Sequence, residues 1–152
     1  MPSSKRRDWI AQLSPDQLRE GTRTHWQPHK HQAPPPPDWP TWLLLGGRGS
    51  GKTHAGAHWL SELARTPDLR LALVGPTLHD VREVMVEGPS GLKAVADDRH
   101  RPHWEGGRKR LIWPSQTVAY AFSAEDPDSL RGPQFHHAWA DEFCAWRKPE
   151  TV

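Results

Sequence analysis

The sequence predicts an α/β domain built on a doubly wound, mainly parallel sheet with helices on both faces, and three stretches carry that prediction. The apolar run Trp42-Leu43-Leu44-Leu45 leads into the glycine-rich loop Gly46-Gly47-Arg48-Gly49-Ser50-Gly51-Lys52-Thr53, which an amphipathic segment follows. Leu69 to Gly75 is nearly continuous in apolar residues, as a parallel strand covered on both faces should be. Phe135 to Ala140 is a third candidate strand, closed by Asp141-Glu142.

The elements follow in order. Residues 1–40 read as an N-terminal arm: Lys5-Arg6-Arg7 is a solvated basic tail, and Ser14-Pro15-Asp16-Gln17 resembles an N-cap with proline at the first helical position, opening a short helix through Arg23. His25, His29 and His31 have no cysteine or glutamate partner at ligand spacing, so a metal site is not expected there. Pro34 to Pro37 form a stiff polyproline spacer before the first strand. Residues 41–152 form the main domain. After the loop, Gly56, Trp59, Leu60 and Leu63 recur at helical spacing until Pro67 ends the helix. Thr77 with Asp80 makes a capping box, opening a helix with Val81, Val84 and Met85 on its buried side that stops near Gly88-Pro89. Asp97 to Arg110, with Arg99, Arg101, Arg108, Lys109 and Arg110 around Trp104, reads as a solvated basic loop, with a grip on a phosphate backbone as the sharper alternative. Leu111-Ile112-Trp113 and Thr117 to Phe122, joined by Pro114-Ser115-Gln116, predict a β-hairpin.

The loop fits the P-loop pattern of Gly, four residues, Gly, Lys and Ser or Thr, so the domain is expected to be a P-loop NTPase. Glycines at 46, 47, 49 and 51 let the backbone around Arg48 and Ser50 turn tightly and aim several N–H groups into one concavity, where they meet an anion together with the next helix's N-terminus. Lys52 supplies charge for the β- and γ-phosphates of ATP, and the Thr53 hydroxyl a ligand for Mg²⁺. Asp141 and Glu142 are the acidic pair such chemistry requires: one carboxylate for the metal and one to orient water.

Composition narrows the context. A chain of 152 residues holds one domain, and its apolar content of 35% and mean hydropathy of −0.81 are low, offset by nine tryptophans. A net charge of +2 permits a nucleic-acid partner without arguing for one. The single cysteine, Cys144, excludes an internal disulfide and fits a reducing cytoplasm, and is expected to be a half-buried structural thiol. No run approaches the roughly 20 apolar residues of a membrane span.

Several blocks in order resemble the N-terminal ATPase part of phage terminase large subunits, the DNA-packaging motors of tailed phages and gene transfer agents. They are Pro34-Pro35, Asp38-Trp39, Thr41 to Thr53, Val84 to Leu92, Ser129-Leu130-Arg131-Gly132-Pro133-Gln134-Phe135, and Trp139-Ala140-Asp141-Glu142. The resemblance implies an ASCE-type P-loop fold in which Lys52 and Thr53 bind phosphate and Mg²⁺, Asp141 holds the metal and Glu142 is the catalytic carboxylate. It further implies that Arg48 acts on the γ-phosphate in cis, that Gln32 reads the adenine edge, and that Arg82 or Arg131 acts across a subunit interface. Implied partners are double-stranded DNA, a procapsid portal, a terminase small subunit and further copies in a ring, in the host cytoplasm. The family's coupling motif and nuclease domain have no counterpart before Val152, so the expected sheet is incomplete at its C-terminal side and lacks a central strand. The alternatives are another P-loop enzyme, such as a helicase or kinase, and a nucleotide-binding remnant without turnover.

Overall fold

The computed structural model describes residues 26–35 and 39–151. Lys5-Arg6-Arg7, the helix expected after Ser14, His25 and half of the polyproline run lie outside the described residues.

Helix α1 (Lys52–Leu63) follows the glycine-rich loop, and strand β1 (Arg70–Gly75) follows it. A helix then starts at α2 (Leu78–Asp80) and widens to π geometry over Val81–Val86, before the single turn α3 (Leu92–Val95). Strands β2 (His103–Glu105), β3 (Arg110–Ile112), β4 (Val118–Ser123) and β5 (His137–Ala140) complete a five-stranded sheet of order β2-β3-β4-β1-β5.

The sheet is mixed, which corrects the expectation of a mainly parallel one. β4 and β5 flank β1 in parallel, whereas β2–β3 and β3–β4 pair antiparallel. The cause is local: a tight turn at Pro114-Ser115-Gln116, with Gln116 at φ 70°, returns the chain directly beside itself, and adjacent strands so joined run antiparallel. The basic stretch before the hairpin contributes β2 and is largely neutralised. Arg101 pairs with Asp98, and Arg108 and Arg110 both pair with Glu105.

β1 is buried from Leu71 through Gly75, as its apolar run predicts. Leu71 and Leu73 face a core with Ala57, Leu60 and Ala64 of α1, Val81, Met85 and Val86 of the π turn, Leu92, Trp113 and Trp139. Ala72 and Val74 face a smaller cluster with Ala124 and Trp146, which Phe122, Leu130 and Phe135 extend. The helices therefore share one face of β1, and the other is covered by Phe122 of β4 and by Leu130, Phe135 and Trp146 from the connecting segments. The doubly wound arrangement is absent among the described residues.

Gly56 is required by a close approach. A Cβ there would stand 2.5 Å from the Trp139 ring, so its bare backbone lets α1 settle onto β5. Trp59 is half-buried and packs against the main core cluster. It meets Trp39, Trp42 and His137 at centroid distances of 6.1, 6.3 and 6.1 Å. Val84, expected on the buried side, is 42% exposed, because the π turn shifts the register of the face. Cys144 is exposed.

The Trp42–Leu45 run is not a strand. Leu43 and Leu45 are 70% and 72% exposed, while Trp42 and Leu44 are half-buried. Both edges of β1 are occupied, so the run finds no ladder there, and the outer edge of β5 has no strand against it among the described residues. That edge position accommodates the exposed His137 of β5, while His136 stands just before the strand. His137 turns outward to Trp59, and the His136 ring accepts the Arg70 N–H at 2.9 Å. No helix among the described residues is long and apolar enough to cross a membrane.

The end of α1 is closed by the hairpin. Ser115 donates to the Ala64 carbonyl at 2.6 Å, and Thr117, fully buried, donates to the Thr66 carbonyl at 2.6 Å and accepts the Leu69 N–H at 3.0 Å. Thr117→Val strands both backbone groups in the core and should cost about 1–3 kcal/mol. A lowered urea midpoint at unchanged slope is the expected result, and an unchanged midpoint would show that the seam carries no stability.

Candidate functional site

The loop before α1 is shaped by two left-handed glycines, Gly49 (φ 75°) and Gly51 (φ 80°), a conformation that costs a side-chain-bearing residue about 1–2 kcal/mol. Gly51 is the N-cap of α1 and makes no side-chain cap, so the helix's first N–H groups are left to face whatever occupies the loop. Lys52 lies back over the loop, its ammonium donating to the Gly46 and Gly47 carbonyls at 2.8 and 3.0 Å.

Eighty-eight positions later in the chain, Asp141 meets this helix. The Thr53 hydroxyl donates to Asp141 Oδ2 at 3.2 Å. Asp141 is 6% exposed, held by its N–H to the Val74 carbonyl at 2.9 Å and by the Trp146 indole N–H to its own carbonyl at 3.1 Å. Burial pushes its carboxyl above the usual range, the Thr53 hydrogen bond opposes that, nearby Glu142 adds to the rise, and Lys52 works against it. Glu142 follows at φ 50°, a left-handed residue that turns the chain sharply off β5. Strain of this kind, of order 1–3 kcal/mol, is kept where it aims a side chain.

Glu142 and the loop line one cavity of about 380 Å³, with Arg48, Lys52, Thr53 and His54 on one side and Glu83, Val84, Gly88, Pro89 and Ser90 on the other. A second cavity of about 300 Å³ continues past Asp141 and Glu142 to Pro76, Asp80 and Met85. The sequence-predicted residues Arg48, Gly49, Ser50, Gly51, Lys52, Thr53, Asp141 and Glu142 thus converge at the carboxyl end of β1 and β5. Arg48 is exposed and makes no ion pair among the described residues. Gln32 lies beneath the loop, not in the cavity lining. Arg82 and Arg131 are exposed and paired locally with Glu83 and Asp128.

The far wall was missed as a site by pattern reading, which took Gly88-Pro89 as a helix stop. Its glycines carried the signal: a Cβ on Gly88 would stand 2.6 Å from the Val84 carbonyl, and one on Gly91 2.9 Å from three carbonyls. Only glycine lets this turn fold back under the π segment and face the loop.

The arm also reaches the site. Trp26 stacks on His58 of α1 at 4.2 Å and 6°, with His54 edge-on to both rings. Burial pushes His58 down to about 4, with His54 as a second cause, and burial lowers His54 as well. A histidine that binds its proton less readily folded than unfolded adds stability above its ordinary value near 6.5, and that stability is lost as pH falls towards 4. Proton NMR should show the His58 ring still neutral at pH 5.5, and His58→Phe should flatten the decline of thermal midpoint between pH 6.5 and 4. A His58 titration near 6.5 would remove the stack from this role.

No curated protein and no solved structure matches the chain. A family model does: that of the terminase large subunit, T4likevirus-type, N-terminal, over residues 43–151, which takes in the loop, the far wall and the acidic pair together. On that match the chain belongs to the family of phage terminase large subunits, through their N-terminal region.

Proposed function

We propose that the chain is the ATP-binding and ATP-hydrolysing domain of a terminase large subunit, with a P-loop NTPase fold over residues 41–152, which powers the packaging of double-stranded DNA into a viral procapsid. The observation that carries the reading is the Thr53–Asp141 hydrogen bond at 3.2 Å, because it joins the end of the glycine-rich loop to the acidic pair, whose Glu142 lines the same cavity as the loop.

In this reading the N–H groups of Gly47 to Thr53 cradle the phosphates, and the Lys52 ammonium exchanges the Gly46 and Gly47 carbonyls for β- and γ-phosphate oxygens. Arg48, which lines the cavity and makes no ion pair among the described residues, adds charge at the γ-phosphate. The donors suit Mg²⁺: a hydroxyl and a carboxylate oxygen 3.2 Å apart are hard ligands at the spacing of neighbouring positions around a small cation, about 3 Å. Mg²⁺ supplies neutralisation of charge on the phosphate oxygens. Asp141, whose burial disfavours its ionised form, would be held ionised by a cation. Glu142 accepts a hydrogen bond from water and aligns it for in-line attack on the γ-phosphorus. The new P–O bond forms as the β–γ bridging bond breaks, the water's proton passes to solvent or phosphate, and ADP leaves. Membership of the terminase family points to duplex DNA, a portal, a small subunit and a ring of copies as the partners in the assembled motor.

Two substitutions test the roles. Lys52→Ala should weaken Mg·ATP binding by at least tenfold in calorimetry; unchanged affinity would sink the loop's assignment. Glu142→Gln, in a protein whose unsubstituted form hydrolyses ATP, should retain binding and lower turnover by about two or more orders of magnitude, the scale of losing the carboxylate that orients and polarises the attacking water. Retained turnover removes Glu142 from catalysis. Phosphate transfer to an acceptor other than water would favour a kinase, and binding without phosphate release a remnant.

A further inference from the structure

Gln32 is held within the chain by both ends of its amide. Its side chain is 6% exposed. Oε1 accepts the His29 N–H at 3.0 Å, and Nε2 donates to the Ser50 carbonyl at 2.9 Å. The orientation of the amide is fixed by chemistry: a backbone N–H can be met only by the oxygen, which leaves the NH₂ for the Ser50 carbonyl. Residues 29–33 form a tight turn, in which Gln32 and Ala33 both donate to the His29 carbonyl at 2.8 and 3.2 Å. The Trp26 stack on His58 ties the same segment to α1. Gly51 completes the fit, because a Cβ there would stand 2.5 Å from Gln32 Nε2.

In a planar trans peptide the carbonyl and the following N–H point in opposite directions. A donor that draws the Ser50 carbonyl toward the arm therefore turns the Gly51 N–H away from it, on the side of the loop where Gly51, Lys52 and Thr53 line the cavity. We propose that Gln32 is a positioning residue that locks the Ser50–Gly51 peptide with its N–H toward the phosphate cavity, so that it sets affinity for the triphosphate group and not selectivity among bases. This rests on the loop's reading as a phosphate cradle.

The test uses the full chain with Mg²⁺ and three probes: ATP, GTP and inorganic tripolyphosphate. Gln32→Glu keeps the acceptor for His29 and replaces the donor with an oxygen that repels the Ser50 carbonyl. The expected result is a loss of roughly tenfold in affinity, similar for all three probes, with the ATP-to-GTP ratio unchanged. A loss confined to ATP would overturn the inference and make Gln32 a reader of adenine, and unchanged affinity for all three would overturn it outright. In the unsubstituted protein, the Gly51 amide resonance should move downfield on addition of tripolyphosphate, a readout that needs no variant to fold. Binding that leaves this amide unmoved would reject the peptide's assigned direction while leaving the proposed function standing. Failure of all three probes to bind the unsubstituted chain would remove both.

Discussion

The contact between Thr53 and Asp141 is the constraint on which the site depends. Thr53 is near the start of α1 and Asp141 just past the end of β5, so the bond can form only if α1 packs onto the β5 side of β1 and starts at the edge of the sheet where β5 ends. Gly56 permits that packing by leaving room for Trp139. The parallel register of β1 with β5 then brings Asp141 level with the end of β1, where its N–H takes the Val74 carbonyl. A displacement of either element by one residue would separate the hydroxyl from the carboxylate and open the cavity.

Two kinds of force maintain that arrangement. Burial of Leu60, Leu71, Leu73, Met85 and Leu92 supplies most of the cohesion, at about 1.5–3 kcal/mol for each large side chain. Polar seams then fix where the elements stop. Thr117 and Ser115 close the end of α1, the reciprocal Thr77–Asp80 box starts α2, and Gln32 holds the loop. Each seam joins a side chain to backbone groups that would otherwise be buried without partners, which is why small changes there carry costs out of proportion to the area involved. The outer side of β5 differs: Ala138 and Ala140 are exposed, and Leu43 and Leu45 of the segment entering the loop are exposed too.

Features set by neighbours in sequence were legible before any fold was known. The capping box at Thr77, the hairpin turn at Pro114-Ser115-Gln116, the covered strand at Leu71 to Gly75 and the glycine-rich loop each depend on a few adjacent residues. Failures fell where the deciding partner was distant. Leu43 to Leu45 have the composition of a strand, but both edges of β1 are already taken and the run stays outside the sheet. His136 and His137 look wrong for a buried strand and fit an edge. Val84 holds its place in an α-helical period but not in a π turn, and Arg101, Arg108 and Arg110 belong to a basic run in one dimension and to ion pairs in three.

By itself the sequence determined the chemistry available at the site: a loop whose glycines permit left-handed turns, a lysine and a hydroxyl at its end, and two adjacent carboxylates. Those are properties of residue type and of spacing within a few peptide units. Tertiary structure alone decided that the Asp141 carboxylate meets the hydroxyl, that the Gly88 turn walls the cavity, that one face of the sheet takes the helices, and that Gln32 lies under the loop. Each of these rests on the packing of elements far apart in the chain, and no local pattern encodes the distance between them.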